Sequence, residues 1–151
     1  GSFGEKELLE GADNLFASIE KKGPSGPFYL FGESLGTAVA TYIASRKSIK
    51  ALILQSPFPS LSEVGQYHYP MFPVDLLMSH RFPLKEWAKK VDCPVLMIHG
   101  EEDRIIPIHF GKEAATYFPK TPRFKKIAGR AHNDLANSRA FWEELLNFLR
   151  P

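Results

Sequence analysis

The segment Gly32-Glu33-Ser34-Leu35-Gly36 constrains the fold more than any other part of this sequence. The apolar run 28–31 leads into it, and the helix-prone run 37–45 follows it. This pattern predicts a strand that turns so sharply into a helix that the Ser34 backbone is strained and its side chain is exposed. Gly32 and Gly36 are expected to let neighbouring segments approach without a clash at Cβ. Such a turn is a nucleophile elbow, and it predicts that Ser34 is a catalytic nucleophile.

A serine hydroxyl is a poor nucleophile until a base takes its proton, so an elbow predicts a carboxylate and a histidine later in the chain. Asp103 follows the buried-strand pattern 95–99, and His132 follows a short strand expected at 124–127. Loops at the carboxyl ends of parallel strands meet at one edge of a sheet. We therefore expect Ser34, Asp103 and His132 to form a Ser-His-Asp triad.

Other carboxylates compete with Asp103 for the acidic position of this triad. Glu101 and Glu102 lie in the same loop, and Asp75 comes from the middle of the chain. Asp134 is expected to lie too near His132 in sequence to orient its ring. The residues alone leave Glu101, Glu102 and Asp75 open.

Helical and strand patterns alternate along the chain, which predicts the α/β class with about four parallel strands and flanking helices. A helix is expected to end before Gly23-Pro24, since glycine and proline stop helices. The length of 151 residues and the ordinary composition predict a single domain over 1–151. The expected strands are 28–32, 51–54, 95–99 and 124–127, and the expected helices are 5–22, the one after Ser34, 61–67, 74–78, 108–118 and 137–149.

Several stretches beyond the elbow resemble the α/β-hydrolases, in the branch of small serine esterases, acylglycerol lipases and depalmitoylase-like enzymes. The resemblance implies that Ser34 is the nucleophile, His132 the general base and acid, and Asp103 the carboxylate that holds the imidazole tautomer. It also implies that His99 is a structural histidine near the site. The matching stretches, besides the elbow, are 52–58, 93–100, 103–107 and 132–135.

The resemblance covers almost all of this sequence but only the carboxyl-terminal portion of the α/β-hydrolase fold. The family pattern begins upstream, with four further strands and a His-Gly or Gly-Gly loop, and this sequence starts after them. The backbone N–H of Leu35 is the oxyanion donor expected here, because it follows the nucleophile. The second donor normally comes from the upstream loop, and losing one donor lowers the rate about a hundred- to a thousandfold.

The segment 56–82 is rich in proline and aromatic residues and sits where the family often builds a lid or pocket wall over the site. Ordinary core and loop packing is the alternative. If the segment lines the pocket, Phe58, Tyr69, Phe72 and Leu76 favour an apolar acyl or aromatic group.

Composition excludes several other classes of protein. The formal charge is +2 with scattered basic residues, so no nucleic-acid partner is expected. No apolar run is long enough to span a bilayer, and no signal peptide is visible. His68, His80 and His109 lack the spacing of metal ligands, so we expect no metal and no cofactor. The lone Cys93 excludes an internal disulfide and favours a reducing compartment such as the cytoplasm.

Two functions remain after these exclusions. The first is hydrolysis of a small-molecule ester or thioester through an acyl-Ser34 intermediate. The second is a non-catalytic assembly or binding module that keeps the triad residues of a truncated hydrolase. The apolar strand 28–31 would be an edge strand here, so a homodimer is expected in either case.

Overall fold

The structure, a computed structural model, describes residues 4–23 and 25–150. In these residues four parallel strands form one sheet in the order β1-β2-β3-β4, so each strand pairs with the next one in the chain. The predicted α/β class with four parallel strands and flanking helices is confirmed. The strands are β1 (Tyr29–Glu33), β2 (Ala51–Gln55), β3 (Val95–Gly100) and β4 (Arg123–Ile127).

Seven α-helices are present in the described residues, together with a 3-10 turn at Leu135–Asn137. The first helix has the predicted bounds, and the amide of Gly23 closes it by donating to the carbonyl of Ile19 at 2.7 Å. Pro24, the other half of the predicted stop, lies outside the described residues. The helices are α1 (Glu5–Lys22), α2 (Leu35–Ala44), α3 (Leu61–His68), α4 (Val74–Leu77), α5 (Leu84–Ala88), α6 (Ile108–Ala115) and α7 (Arg139–Leu149).

Alternate residues of the central strands separate the interior into two hydrophobic cores, one on each face of the sheet. Leu52 and Leu54 of β2 join the larger core, where α2, α5 and α6 pack. Ile53, between them, joins the smaller core, to which Phe141 of α7 belongs. Helices thus cover both faces of β2 and β3, whose residues are all buried. This burial explains the apolar runs 51–54 and 95–98 within them.

The two edges of the sheet differ in chemistry. The outer strand β4 carries Arg123, Lys125 and Lys126, and charged side chains of this kind resist pairing with another strand. The opposite edge is β1, where Tyr29 is 46% exposed and Phe31 is 50% exposed. Both are large apolar groups in an outer strand, so β1 lacks the protection that β4 has.

The packing of α2 against β1 requires a glycine at only one of the two elbow positions. A Cβ on Gly32 would lie 2.4 Å from the carbonyl oxygen of Gly36, so the backbone of α2 could not pack against β1 as it does. A Cβ on Gly36 would meet no atom of the described residues within 4 Å. The expectation for Gly36 is therefore wrong, because its Cα faces an open groove between α1 and the β1 edge.

The glycine pair provides a matched test of this packing. Gly32→Ala is expected to lower the free energy of unfolding by about 1–3 kcal/mol, the usual cost of overpacking. Gly36→Ala is expected to raise it by up to about 1 kcal/mol, since alanine favours a helix more than glycine does. Urea denaturation followed by circular dichroism measures both. Equal effects of the two substitutions would contradict the described packing.

Candidate active site

Ser34 lies in a strained turn between the last residue of β1 and the first residue of α2. Its φ of 52° and ψ of −122° are outside the regions that residues other than glycine usually adopt. Neighbouring groups hold this conformation: the Ser34 amide donates to the Gln55 carbonyl at 3.0 Å, and the Ser34 carbonyl accepts from the Thr37 amide at 2.9 Å and the Thr37 hydroxyl at 2.6 Å. Such strain costs on the order of 1–3 kcal/mol and persists only where surrounding contacts enforce it.

Leu35 begins α2 directly after Ser34. The first amides of a helix have no carbonyl partner within the helix, and they carry the positive end of its dipole. The Leu35 amide is therefore positioned to attract negative charge that develops next to Ser34.

Asp103 and His132 are in direct contact. His132 Nδ1 lies 2.7 Å from Asp103 Oδ2, and both residues are buried. Asp103 Oδ1 accepts from the amides of Ile105 at 3.0 Å and Ile106 at 2.8 Å. Burial alone would raise the pKa of Asp103, but the hydrogen bonds from His132 and Ile106 lower it below its ordinary value.

The ionised Asp103 determines the tautomer of His132. An ionised carboxylate only accepts hydrogen bonds, so His132 Nδ1 is the donor. In the neutral ring Nε2 is then left with its lone pair free to accept a proton.

The loops after β3 and β4 come together because Gly100 has no side chain. A Cβ on Gly100 would lie 2.3 Å from the carbonyl oxygen of Arg130. That carbonyl accepts from the Glu102 amide at 2.9 Å, which links the loop of Asp103 to the loop of His132. The glycine at the end of β3 is a signal for this contact in the sequence. The sequence does not show that Arg130 is the residue it contacts.

The competing carboxylates have other surroundings. Glu101 pairs with Lys126 at 2.7 Å, and Glu102 and Asp75 are exposed. Asp134 Oδ1 accepts from the Ala131 amide at 2.7 Å. Among the described residues, Asp103 is the carboxylate that bonds to His132.

His99, at the end of β3, is fully buried beside Asp103. Its Nε2 lies 2.8 Å from the Ile106 carbonyl and 3.5 Å from Asp103 Oδ2, while Nδ1 has no hydrogen-bond partner in the described residues. Burial lowers the pKa of His99 below its ordinary value, against the smaller effects of Ile106 and Asp103. The ring is therefore neutral, and its Nε2–H holds the loop that carries Asp103.

These two groups predict the pH dependence of stability. The folded-state pKa of His99 lies below its ordinary value of 6.5, so the unfolded chain binds this proton first and stability falls as the pH drops below 6.5. The lowered pKa of Asp103 removes further stability below its ordinary value of 3.8. Urea unfolding across pH 4–8 measures the first effect. His99→Gln, which keeps a donor but does not titrate, should flatten the slope, and an unchanged slope would contradict this assignment.

The expected wall residues occupy different environments. Phe58 is fully buried in the larger core, so its side chain offers no surface to a ligand. Tyr69 and Phe72 line a groove of about 520 Å³, and Leu76 is exposed outside it. In the described residues Ser34, Asp103 and His132 do not line that groove.

Across 4–23 and 25–150, no three His, Cys, Asp or Glu side chains are grouped so that they could bind a metal ion. None of the described helices combines the length and hydrophobicity needed to cross a membrane.

Comparison with known proteins shows relatives that are longer than this chain. An uncharacterised protein of Mycobacterium tuberculosis is 38% identical over 121 residues, covering 79% of this chain and 43% of the relative. Lysophosphatidylserine lipase ABHD12 of Rattus norvegicus is 32% identical over 131 residues, covering 75% of this chain and 33% of the relative. The chain thus spans less than half the length of these curated relatives. No family model matches it.

Solved structures resemble the chain more extensively in fold than in sequence. Est1E from Butyrivibrio proteoclasticus superimposes with a TM-score of 0.74 at 20% identity, covering 96% of this chain and 70% of that one. The fold is that of the α/β-hydrolases, of which this chain contains a part. Within that class it resembles esterases and lipases, as its sequence predicted.

Proposed function

We propose that this protein is a serine hydrolase that cleaves carboxylic esters or thioesters through an acyl-Ser34 intermediate. The hydrogen bond between His132 Nδ1 and Asp103 Oδ2 is the observation that carries the proposal. It supports the role of His132 as a base, because it leaves Nε2 free to accept a proton. The strained turn at Ser34 follows β1, at the same end of the sheet as the loops of Asp103 and His132 after β3 and β4, and it supports the role of Ser34 as the nucleophile.

The reaction follows from these roles. His132 Nε2 takes the Ser34 hydroxyl proton while Ser34 Oγ attacks the carbonyl carbon of the substrate, and the Leu35 amide stabilises the oxyanion. His132 then donates the proton to the leaving alcohol or thiol. Water attacks the acyl-serine, with His132 again as the base, and releases the acid. Asp103 stays ionised and stabilises the imidazolium in both steps.

The substrate we propose carries an apolar acyl or aromatic group. The name of the rat relative, a lysophosphatidylserine lipase, supports a lipid ester. Tyr69 and Phe72 line an apolar groove that Ser34 does not line, and Leu76 is exposed outside it, so these residues add support only if the substrate extends to them. Phe58 contributes to this groove only by supporting the segment from within the core.

A fluorophosphonate probe tests the proposed nucleophile without knowledge of the substrate. The probe reacts with a serine that a base activates, so we expect it to label Ser34, as peptide mass spectrometry would locate. His132→Ala and heat-denatured protein serve as controls that should not be labelled. A folded protein that stays unlabelled, or one labelled at another serine, would overturn the proposal.

The alternative function is a non-catalytic module that associates through β1, and the exposed Tyr29 and Phe31 favour it. We propose a homodimer in which two β1 edges or their flanking helices meet. The same surface would join the two copies if the protein is an enzyme. Leu15 and Ile19 of α1 and Trp142 and Leu149 of α7 are also exposed along this side of the molecule. Contiguous apolar surface of this kind marks interaction sites.

Light scattering after size exclusion tests the homodimer. We expect a mass of twice 17.0 kDa at micromolar concentration. Phe31→Glu should dissociate the dimer, because it places a charge in the contact, whereas Leu76→Glu, at another exposed apolar position, should not. A folded wild-type monomer would contradict the proposal.

A further inference from the structure

Ser56 is a second strained serine at the edge of the sheet that carries the candidate site. It follows the last residue of β2, its φ is 52°, and its amide donates to the Ile98 carbonyl at 2.9 Å. Its side chain is fully buried. A residue other than glycine rarely keeps a positive φ inside a core unless surrounding contacts or a function require it.

The hydroxyl of Ser56 has no hydrogen-bond partner of ordinary geometry among the described residues. Buried polar groups nearly always have one, so this hydroxyl calls for an explanation. The carboxylate of Asp103 is the group that it influences: the Ser56 hydroxyl is among the neighbours that lower the pKa of Asp103, after His132 and Ile106. The sheet geometry places the two residues together: the Ser56 amide bonds to Ile98, and the next residue of β3, His99, has its Nε2 3.5 Å from Asp103 Oδ2. The hydroxyl is therefore beside this carboxylate, but it makes no hydrogen bond to it in the structure.

The hydrogen bonds of Asp103 leave one position for such a donor. A carboxylate offers about four lone-pair sites. The amides of Ile105 and Ile106 occupy two at Oδ1, and His132 occupies one at Oδ2. His99 Nε2 is 3.5 Å from Oδ2 but donates to the Ile106 carbonyl.

We propose that Ser56 is a positioning residue whose hydroxyl donates the fourth hydrogen bond to the Asp103 carboxylate. This inference rests on the proposed function, since Asp103 has catalytic meaning only if His132 is the base. A carboxylate held from β2 as well as from its own loop cannot rotate about its Cβ–Cγ bond. His132 is then kept in the orientation that directs Nε2 toward Ser34.

Two substitutions separate this role from a structural one. Ser56→Ala removes the hydroxyl and keeps the strained backbone, whereas Ser56→Gly removes the hydroxyl and relieves the strain, because glycine favours a positive φ. The glycine variant should unfold at a higher urea concentration than the alanine variant. If Ser56 has only a structural role, the Asp103 pKa and kcat should change more in the less stable alanine variant than in the glycine variant. If Ser56 positions Asp103, both quantities should change equally in the two variants.

Carbon-13 NMR titration of the Asp103 carboxyl group measures the change without any need for turnover. Removal of a donor to the charged form should raise the Asp103 pKa in both variants. His132 and His99 are the titratable groups that face this carboxylate, and His109 acts on His99. Their titration is followed in the same samples. An Asp103 pKa that does not rise in either variant would overturn the role of Ser56.

Kinetics give a second measurement. In both variants we expect kcat to fall roughly tenfold to a hundredfold, as for the loss of a hydrogen bond to a charged group, with KM little changed. Unchanged kcat in both variants would also overturn the role of Ser56. A wild-type protein that hydrolyses no ester would instead overturn the proposed function, and the Asp103 titration would still decide whether Ser56 holds the carboxylate.

Discussion

Replacement of Ser34 by alanine is expected to abolish turnover of short p-nitrophenyl esters, with a fall in kcat of about 10⁴- to 10⁶-fold. The substitution removes the atom that forms the acyl intermediate, and the nearby Thr37 hydroxyl donates to the Ser34 carbonyl. The side chain is partly exposed and small, so the free energy of unfolding should change little. Steady-state kinetics and urea denaturation measure the two effects.

Ser48→Ala is the matched control for this experiment, because Ser48 is exposed and lies outside the site. It should retain full activity. Turnover that persists in Ser34→Ala at the wild-type rate would mean that another nucleophile does the work, and the proposed mechanism would be wrong.

Asp103→Asn is expected to lower kcat by about 10⁴-fold, as in other Ser-His-Asp triads. The amide is nearly the same size as the carboxylate, but its NH₂ group can donate to His132 Nδ1. The ring then carries its proton on Nε2, where it cannot accept the proton of Ser34. The amides of Ile105 and Ile106 still have an oxygen to bond, so the fold should survive.

Glu102→Gln provides the matched control, because it makes the same chemical change at an exposed carboxylate of the same loop. It should leave kcat within about twofold of the wild type, since surface substitutions of this kind usually have small effects. Equal losses in Glu102→Gln and Asp103→Asn would show that the loop, not the acid, is sensitive.

The sequence predicted the regular elements best where local signals coincide. In α1 the helical spacing of apolar residues and the glycine at position 23 agree, and the predicted bounds match those observed. The strands β2 and β3 were evident from their apolar runs, because both faces are covered.

Short elements and element ends were harder to predict. The five-residue helix α5 is absent from the expected helices, although its Leu84 and Ala88 are fully buried. The apolar periodicity continues through Phe118, so the sequence predicts that α6 ends at 118. The helix ends at Ala115 instead, and Phe118 packs in the core from beyond the helix end. In both cases tertiary burial, which leaves no local signal, determines the outcome.

The candidate site was likewise predicted only in part. The order of Ser34, Asp103 and His132 and the strands before them indicated that their loops would meet, and the contact between Asp103 and His132 has the expected partners. Ser56 was not singled out, because a positive φ at a serine depends on the loop geometry around it. Phe58 was assigned to a pocket wall, since an aromatic residue in a proline-rich segment looks the same whether it faces a ligand or the core.

The sequential strand order β1-β2-β3-β4 has a consequence for how the molecule is assembled during synthesis. Each strand pairs with one made shortly before it, so the sheet can grow from the ribosome without waiting for a distant segment. The smaller core forms later, because α7 follows all four strands in the chain and its Phe141 packs with Ile53, Leu96 and Ile98. Until α7 docks, one face of the nascent sheet is exposed, and the chain is then most vulnerable to aggregation.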